Sequence, residues 1–251
     1  MLDQMLVATA RAEDRHYWFR GLRRNATQLL REALAGRRIT RIVDCGAGTG
    51  RNLEWLGAFG DAVGLERSAV GIEFGRKLGR RLVRGSVDKL PFPDASMDLA
   101  TSFDVLYCLD DRTERAALAE MHRVLKPGGL VMVNVAALDV LHGSHSTLTM
   151  EVRRYTKDRL RQRLTDAGFI VDRMTFTNMT MFAPAFAVRW LERVTGRADT
   201  ASESDLAVPP GPVNAVLNAA LTAEAAVLRV ANLPIGTSLL AVGKKAGRVS
   251  I

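Results

Sequence analysis

The chain has 251 residues, 47% of them hydrophobic and 25% charged, with a formal net charge of +8. That size and balance suit one folded α/β domain with an elaboration, and they exclude a disordered polyelectrolyte. Two cysteines, Cys45 and Cys108, without C-x-x-C spacing exclude a zinc ribbon or a disulfide framework and point to a reducing, cytoplasmic compartment.

Residues 1–36 are predicted helical, because Leu22, Ala26, Leu29, Leu30 and Ala33 recur at helical spacing and Gly36 can close the helix. Met1 to Ala10 lacks a basic n-region, so no signal peptide is expected. Ile39 to Cys45 is a short apolar run that ends in glycines and predicts a buried strand. Helical and strand patterns then alternate: helix over Arg51–Phe59, strand over Ala62–Leu65, helix over Val70–Leu78, strand over Arg81–Arg84. Pro91 and Pro93 mark a loop. A strand over Met97–Phe103 and a helix over Arg112–Leu125 follow, the helix stopped by Pro127-Gly128-Gly129. Next come a strand over Leu130–Ala136, a helix over Thr156–Ala167 ending at Gly168, and strands over Phe169–Phe176 and Ser238–Gly243. This alternation predicts a parallel, doubly wound α/β sheet.

Residues 179–236 break the alternation. Their middle, Gly196 to Pro212, is rich in Gly, Ser, Asp and Pro, and their flanks, Phe182–Val194 and Val213–Val230, are predicted to be amphipathic helices. Arg189, Glu224 and Arg229 interrupt the apolar runs, so no membrane-spanning helix is expected.

The first strand leads into Val43-Asp44-Cys45-Gly46-Ala47-Gly48-Thr49-Gly50. A glycine bend between strand and helix lets a ligand approach backbone N–H groups and the positive end of the helix dipole. The spacing is G-x-G-x-G, not the G-x-G-x-x-G of dinucleotide binders. Asp44 before the bend would repel a pyrophosphate but suits the ammonium of an amino-acid moiety. Glu66 ends the second strand, where a carboxylate can accept from ribose hydroxyls. Asp88, after the third strand in Gly85 to Phe92, can accept from an adenine amine, with Val87 or Leu90 beside the ring. Asp104 follows the fourth strand. All lie at carboxyl ends of strands, where open α/β sheets bind ligands. Ala47, Arg67, Ser86 and Phe103 complete the candidate cofactor set beside Asp44, Gly46, Gly48, Gly50, Glu66, Val87, Asp88 and Asp104.

These segments, with Leu125 to Gly129, resemble the motif series of class I S-adenosylmethionine (SAM)-dependent methyltransferases, in particular the type-11 group. The resemblance covers about residues 40–178 and returns at 237–245. It implies a Rossmann-like seven-stranded sheet of order 3-2-1-4-5-7-6 with strand seven antiparallel, and SAM as methyl donor. The expected organisation is an N-terminal helical cap over 1–38, a SAM-binding core over 39–178 plus 237–246, and a helical insertion over 179–236 that leaves the ligand edge and roofs the acceptor site. His16 to Arg24, His142 to His145 and Arg153 to Thr156 resemble a bacterial subset associated with glycan or natural-product pathways. Ser146 and Glu151 depart from that subset.

On the acceptor side, His142 and His145 are candidate general bases and Tyr107 a candidate pocket or hydrogen-bonding group. Phe182, Phe186 and Trp190 are the expected apolar wall. Tyr17 and Arg20 are placed over the methionine end of SAM, as aromatic face and carboxylate partner. No metal is expected. The expected activity is methyl transfer to a small-molecule acceptor by a monomer or homodimer. The basic clusters at Arg15–Arg41, Arg76–Arg84 and Arg153–Arg163 are a solvated surface, or else a patch for nucleic acid or anionic lipid. The rivals are therefore a nucleic-acid methyltransferase, a nicotinamide-dependent oxidoreductase and a non-catalytic SAM-binding protein. The amphipathic flank Val213–Val230 also admits peripheral membrane contact.

Overall fold

The β-branched and leucine-rich runs form seven strands: β1 (Arg41–Cys45), β2 (Asp61–Glu66), β3 (Leu82–Arg84), β4 (Met97–Phe103), β5 (Leu125–Ala136), β6 (Phe169–Thr177) and β7 (Ser238–Lys245). The computed structural model describes residues 3–142, 150–195 and 207–247. The strands make one sheet in the order β3-β2-β1-β4-β5-β7-β6. β1 to β5 pair in parallel, and β7 is antiparallel to both β5 and β6. β6 therefore runs with β1 to β5, and its C-terminal end lies on the same edge as the glycine bend.

The helices are α1 (Asp3–Ala12), α2 (Tyr17–Leu34), α3 (Asn52–Leu56), α4 (Ala69–Lys77), α5 (Asp111–Val124), α6 (Lys157–Asp166), α7 (Phe182–Thr195) and α8 (Gly211–Val227). The stretch 1–36, expected to be helical, holds two helices. His16 N-caps α2, its Nδ1 accepting from Trp18 N at 3.2 Å, and a cap of this kind starts a new helix. α2 is built into the core: Leu22, Ala26, Leu29 and Leu30 are buried in the main hydrophobic cluster with the sheet residues Ile42, Val133 and Leu240. α1 alone remains over the glycine bend. A second difference is at Leu125 to Gly129, which continues α5 directly into β5. Leu125 pairs with Met97, and Lys126 donates to Asp98 at 2.7 Å, so the segment is drawn out as strand.

The long connection between β6 and β7 is anchored at two points. Leu221 of α8 packs so closely on α2 that a Cβ at Gly21 would lie 2.5 Å from Leu221 Cδ1. Asn214 accepts from Tyr17 N and donates to the Arg15 carbonyl, and Asn218 accepts from Arg24. Buried Glu224 accepts from Met179 N and from both the N–H and hydroxyl of Thr180, which fixes the exit from β6. α7 by contrast packs near the turn at Asp139–Leu141 and is exposed along most of its length. Among the described residues no helix is long and apolar enough to cross a membrane.

Candidate active site

The bend after β1 has the geometry its glycines allow. Gly46, Gly48 and Gly50 have φ of 81°, 56° and 77°, a region that penalises any residue with a Cβ. A Cβ at Gly46 would also lie 2.4 Å from Val105 Cγ2. Val105, which follows β4, thus closes directly over the bend.

Asp44 is buried, and Thr101 Oγ1, its register partner on β4, donates to Oδ1 at 2.7 Å. Oδ2 is buried with no hydrogen-bond partner among the described residues. Burial pushes the Asp44 pKa up to about 6, opposed by the Thr101 hydrogen bond and the nearby Asn52 side chain and aided by the charge of Glu66. A half-satisfied carboxylate in this position is an acceptor waiting for a cationic donor.

Glu66 is committed more fully than the sequence implied. Its Oε1 accepts from Arg67 N and Ser68 N, and its Oε2 from Gly48 N, all at 2.8 Å. A carboxylate has about four acceptor positions, so Glu66 keeps room for one further donor rather than two. Beyond β3, Ser86 and Val87 are half-buried in a tight turn, whereas Asp88 is exposed. Arg67 is exposed and reaches Glu66 through its backbone N–H.

Phe103 belongs to the core. It is 8% exposed and packs edge-on against Trp55 with centroids 6.0 Å apart, so it supports the site from beneath instead of facing a ligand. Asp104 is half-buried with φ of 60°. It exchanges two hydrogen bonds with Asn134 of β5: Asp104 N donates to the Asn134 carbonyl at 3.0 Å, and Asn134 Nδ2 donates to Asp104 Oδ1 at 2.8 Å.

α1 lies on the bend, with Leu6 Cδ2 3.4 Å from the position a Gly48 Cβ would take and Ser68 Oγ donating to Asp3 at 2.7 Å. Glu13, which follows α1, is buried. It accepts from Thr49 Oγ1 at 2.7 Å and pairs with Arg80 at 3.2 Å, while Arg80 also pairs with Glu54 at 2.8 Å and donates to the Thr49 carbonyl at 3.0 Å. Nothing in the sequence flags Glu13 and Arg80, which are 67 positions apart.

The acceptor-side residues are less closely grouped. Tyr107 is buried, and its carbonyl accepts from Val152 N and Arg153 N. Burial raises its phenol well above the ordinary range. His142 is exposed, and His145 lies outside the described residues. Tyr17 is half-buried and stacked on His16 with centroids 4.5 Å apart, and Arg20 is exposed on α2. Phe182 and Phe186 stack at 6.0 Å, but Phe186 is 38% exposed and Trp190 is 56% exposed. The expected apolar wall is therefore largely exposed at Phe186 and Trp190. Among the described residues no group of three His, Cys, Asp or Glu is arranged to hold a metal ion.

Residues 43–133 match the methyltransferase-domain family. Demethylmenaquinone methyltransferase of Geobacillus kaustophilus is 34% identical over 118 residues, 41% of this chain and 48% of that one. Malonyl-[acyl-carrier protein] O-methyltransferase of Serratia marcescens is 32% identical over 101 residues, 39% and 38% of the two chains. The chain thus spans about half or less of the length of these two relatives. A methyltransferase in complex with the Trm112 methyltransferase activator of Haloferax volcanii shares the fold, with a TM-score of 0.61, 22% identity and coverage of 99% of this chain and 97% of that one. Sheet order and glycine bend are those of the class I SAM-dependent methyltransferase fold, and the family match spans the segment that carries the bend.

The residues present fit that cofactor. Asp44 Oδ2 offers an unpartnered buried acceptor to an amino-acid ammonium. Beside it the bend is packed by Val105 at Gly46 and by Leu6 at Gly48, and Glu66 retains one acceptor position for a ribose hydroxyl.

Proposed function

We propose that this chain methylates a small-molecule acceptor of the natural-product, lipid or glycan type. The observation that carries the reading is the buried, unpartnered Asp44 Oδ2 at the tip of β1. Bound SAM supplies a methyl group on a sulfonium, which is already a good leaving group. The chain's contribution is then alignment and exclusion of water, and orientation of this kind supplies roughly 7–11 kcal/mol in favourable systems. Asp44 holds the amino-acid end, Glu66 holds the ribose side, and Val87 with Leu90 borders the adenine side. The names of two relatives, which concern a quinone and a malonyl thioester, support a small acceptor.

The basic clusters favour a polymer less than the bare charge does. In the clusters Arg76–Arg84 and Arg153–Arg163, Arg80, Arg81, Arg153 and Arg163 are each paired with a carboxylate of the same chain. A screen of candidate acceptors with methyl-labelled SAM tests the reading. Label is expected in low-molecular-weight extractable product; label recovered only in RNA or DNA would reverse it.

A second reading concerns how the acceptor arrives. α7 exposes Phe186, Val188, Trp190, Leu191 and Val194 beside the ligand edge. An amphipathic helix with exposed aromatic and aliphatic residues suits the boundary of a lipid surface. Sedimentation with phosphatidylglycerol vesicles is expected to carry the protein down, and Trp190→Ser to reduce the bound fraction about fivefold. Equal partitioning of the two proteins would remove this reading.

A further inference from the structure

At the end of β4, Asp104 occupies backbone space that a side chain rarely takes. A non-glycine residue at φ of 60° persists where its surroundings hold it, and such positions cluster at functional sites. The hold is Asn134, which engages Asp104 through both its carbonyl and its amide. The next residue, Val105, lies against Gly46, so Asp104 borders the bend that receives the cofactor. Its Oδ1 is occupied by Asn134. No hydrogen bond to its Oδ2 is found among the described residues, and the residue as a whole is half-buried.

The other described groups at this edge are poorly suited to take a proton. Burial drives the Tyr107 phenol upward and the Cys108 thiol up to about 12. His142 is exposed. His16 spends its Nδ1 capping α2. Glu151 is tied to Arg154 by two contacts of 2.9 and 3.2 Å.

We infer that Asp104 is the group that accepts the acceptor's proton, and that the acceptor is a neutral, protic nucleophile such as a phenol, hydroquinol or enol rather than a carboxylate. The inference rests on the methyltransferase reading above. In the step, the acceptor oxygen forms a bond to the methyl carbon. The carbon–sulfur bond breaks with its electron pair staying on sulfur, and the hydroxyl proton passes to Asp104 Oδ2 and then to solvent. One positive charge on sulfur and one negative charge on Asp104 disappear together, so the neutral acceptor gives a neutral product. A carboxylate acceptor needs no base and would meet Asp104 and Glu151 as like charges.

The charge environment agrees with this role. Burial pushes Asp104 up to about 7, Asn134 opposes the shift and Glu151 adds to it. Among the described residues, Arg154, Tyr107 and Cys108 are further charged or titratable groups in this cluster. A base whose pKa lies near the working pH is half-ionised and still basic, the condition under which proton transfer contributes about 10²–10⁴-fold.

The test compares the full chain with Asp104→Asn, since asparagine tolerates the left-handed backbone. Calorimetry with SAM should show a loss of affinity far smaller than the loss of rate. Methyl transfer from labelled SAM to a naphthohydroquinol should fall about 10²–10⁴-fold in the variant. Asp104→Glu should recover part of the rate, and the acidic limb of the wild-type profile near pH 7 should be absent from Asp104→Asn. Independently of any acceptor, the aspartate carboxyl resonance that Asp104→Asn removes should titrate near neutrality in ¹³C-labelled protein. Titration below pH 5, a parallel loss of SAM affinity, or transfer to a malonyl thioester with the hydroquinol untouched would each overturn the assignment. A wild-type chain that binds no SAM would instead sink the methyltransferase reading, and the carboxyl titration would still decide whether Asp104 is basic enough.

Discussion

Asp44→Ala is expected to raise the dissociation constant for SAM about 30- to 1,000-fold, roughly 2–4 kcal/mol, because it removes one partner of a buried charge pair. Calorimetry of the purified variant checks this. Stability should move the other way. The folded-state pKa of about 6 lies above the ordinary 3.8 of aspartate, so the folded chain resists ionising this group. The cost is absent below about pH 4, grows as pH rises, and levels off above pH 6 at about 3 kcal/mol. The ligand-free variant should therefore unfold at a temperature no lower than wild type at pH 7.5. The same titration controls the cofactor. An ammonium favours ionised Asp44, so SAM affinity should rise about tenfold between pH 5 and pH 7 in wild type and stay flat in Asp44→Ala. A flat wild-type profile would show that this carboxylate does not face the cofactor.

Arg80→Met has the second large effect. The Arg80 side chain is 5% exposed and joins Glu13, Glu54 and the Thr49 carbonyl. Removing it leaves Glu13 buried without its cation, and breaking a buried pair in this way costs about 3–5 kcal/mol. Urea unfolding should show that loss. Glu13→Gln in the same chain should return part of it, because the orphaned charge is then gone. Trypsin should also cut sooner at Arg11 or Arg15, since Glu13 anchors α1 to the glycine bend through Thr49. A variant as stable as wild type would mean that the Glu13 to Arg80 network is incidental.

Local chemistry made the strand, bend and helix of the candidate cofactor site legible in the sequence. Strand, glycine bend and helix are contiguous, and Asp44 and Glu66 sit at strand ends, so periodicity and turn residues alone locate them. The sheet order followed from resemblance, and the register then explains why Thr101 reaches Asp44. Long-range contacts were not legible. Glu13 meets Arg80, and Glu224 meets Thr180, only after the chain has folded. Phe103 stands beside Asp104 in the candidate cofactor set, yet side chains alternate along a strand and its ring turns inward to Trp55. Apolar spacing in α7 suggested a wall, but spacing cannot show whether a helix is covered, and α7 leaves Trp190 exposed. The break at His16 was hidden because the helical pattern continues on both sides of it.

A crystal structure of the full chain grown with S-adenosylhomocysteine tests the central point most directly. The ligand's amino group should lie within hydrogen-bond distance of Asp44 Oδ2, with the amino-acid moiety over the bend at Gly46 and Gly48. A ligand bound elsewhere, or a bend still closed by Leu6 with Asp44 unpaired, would contradict it.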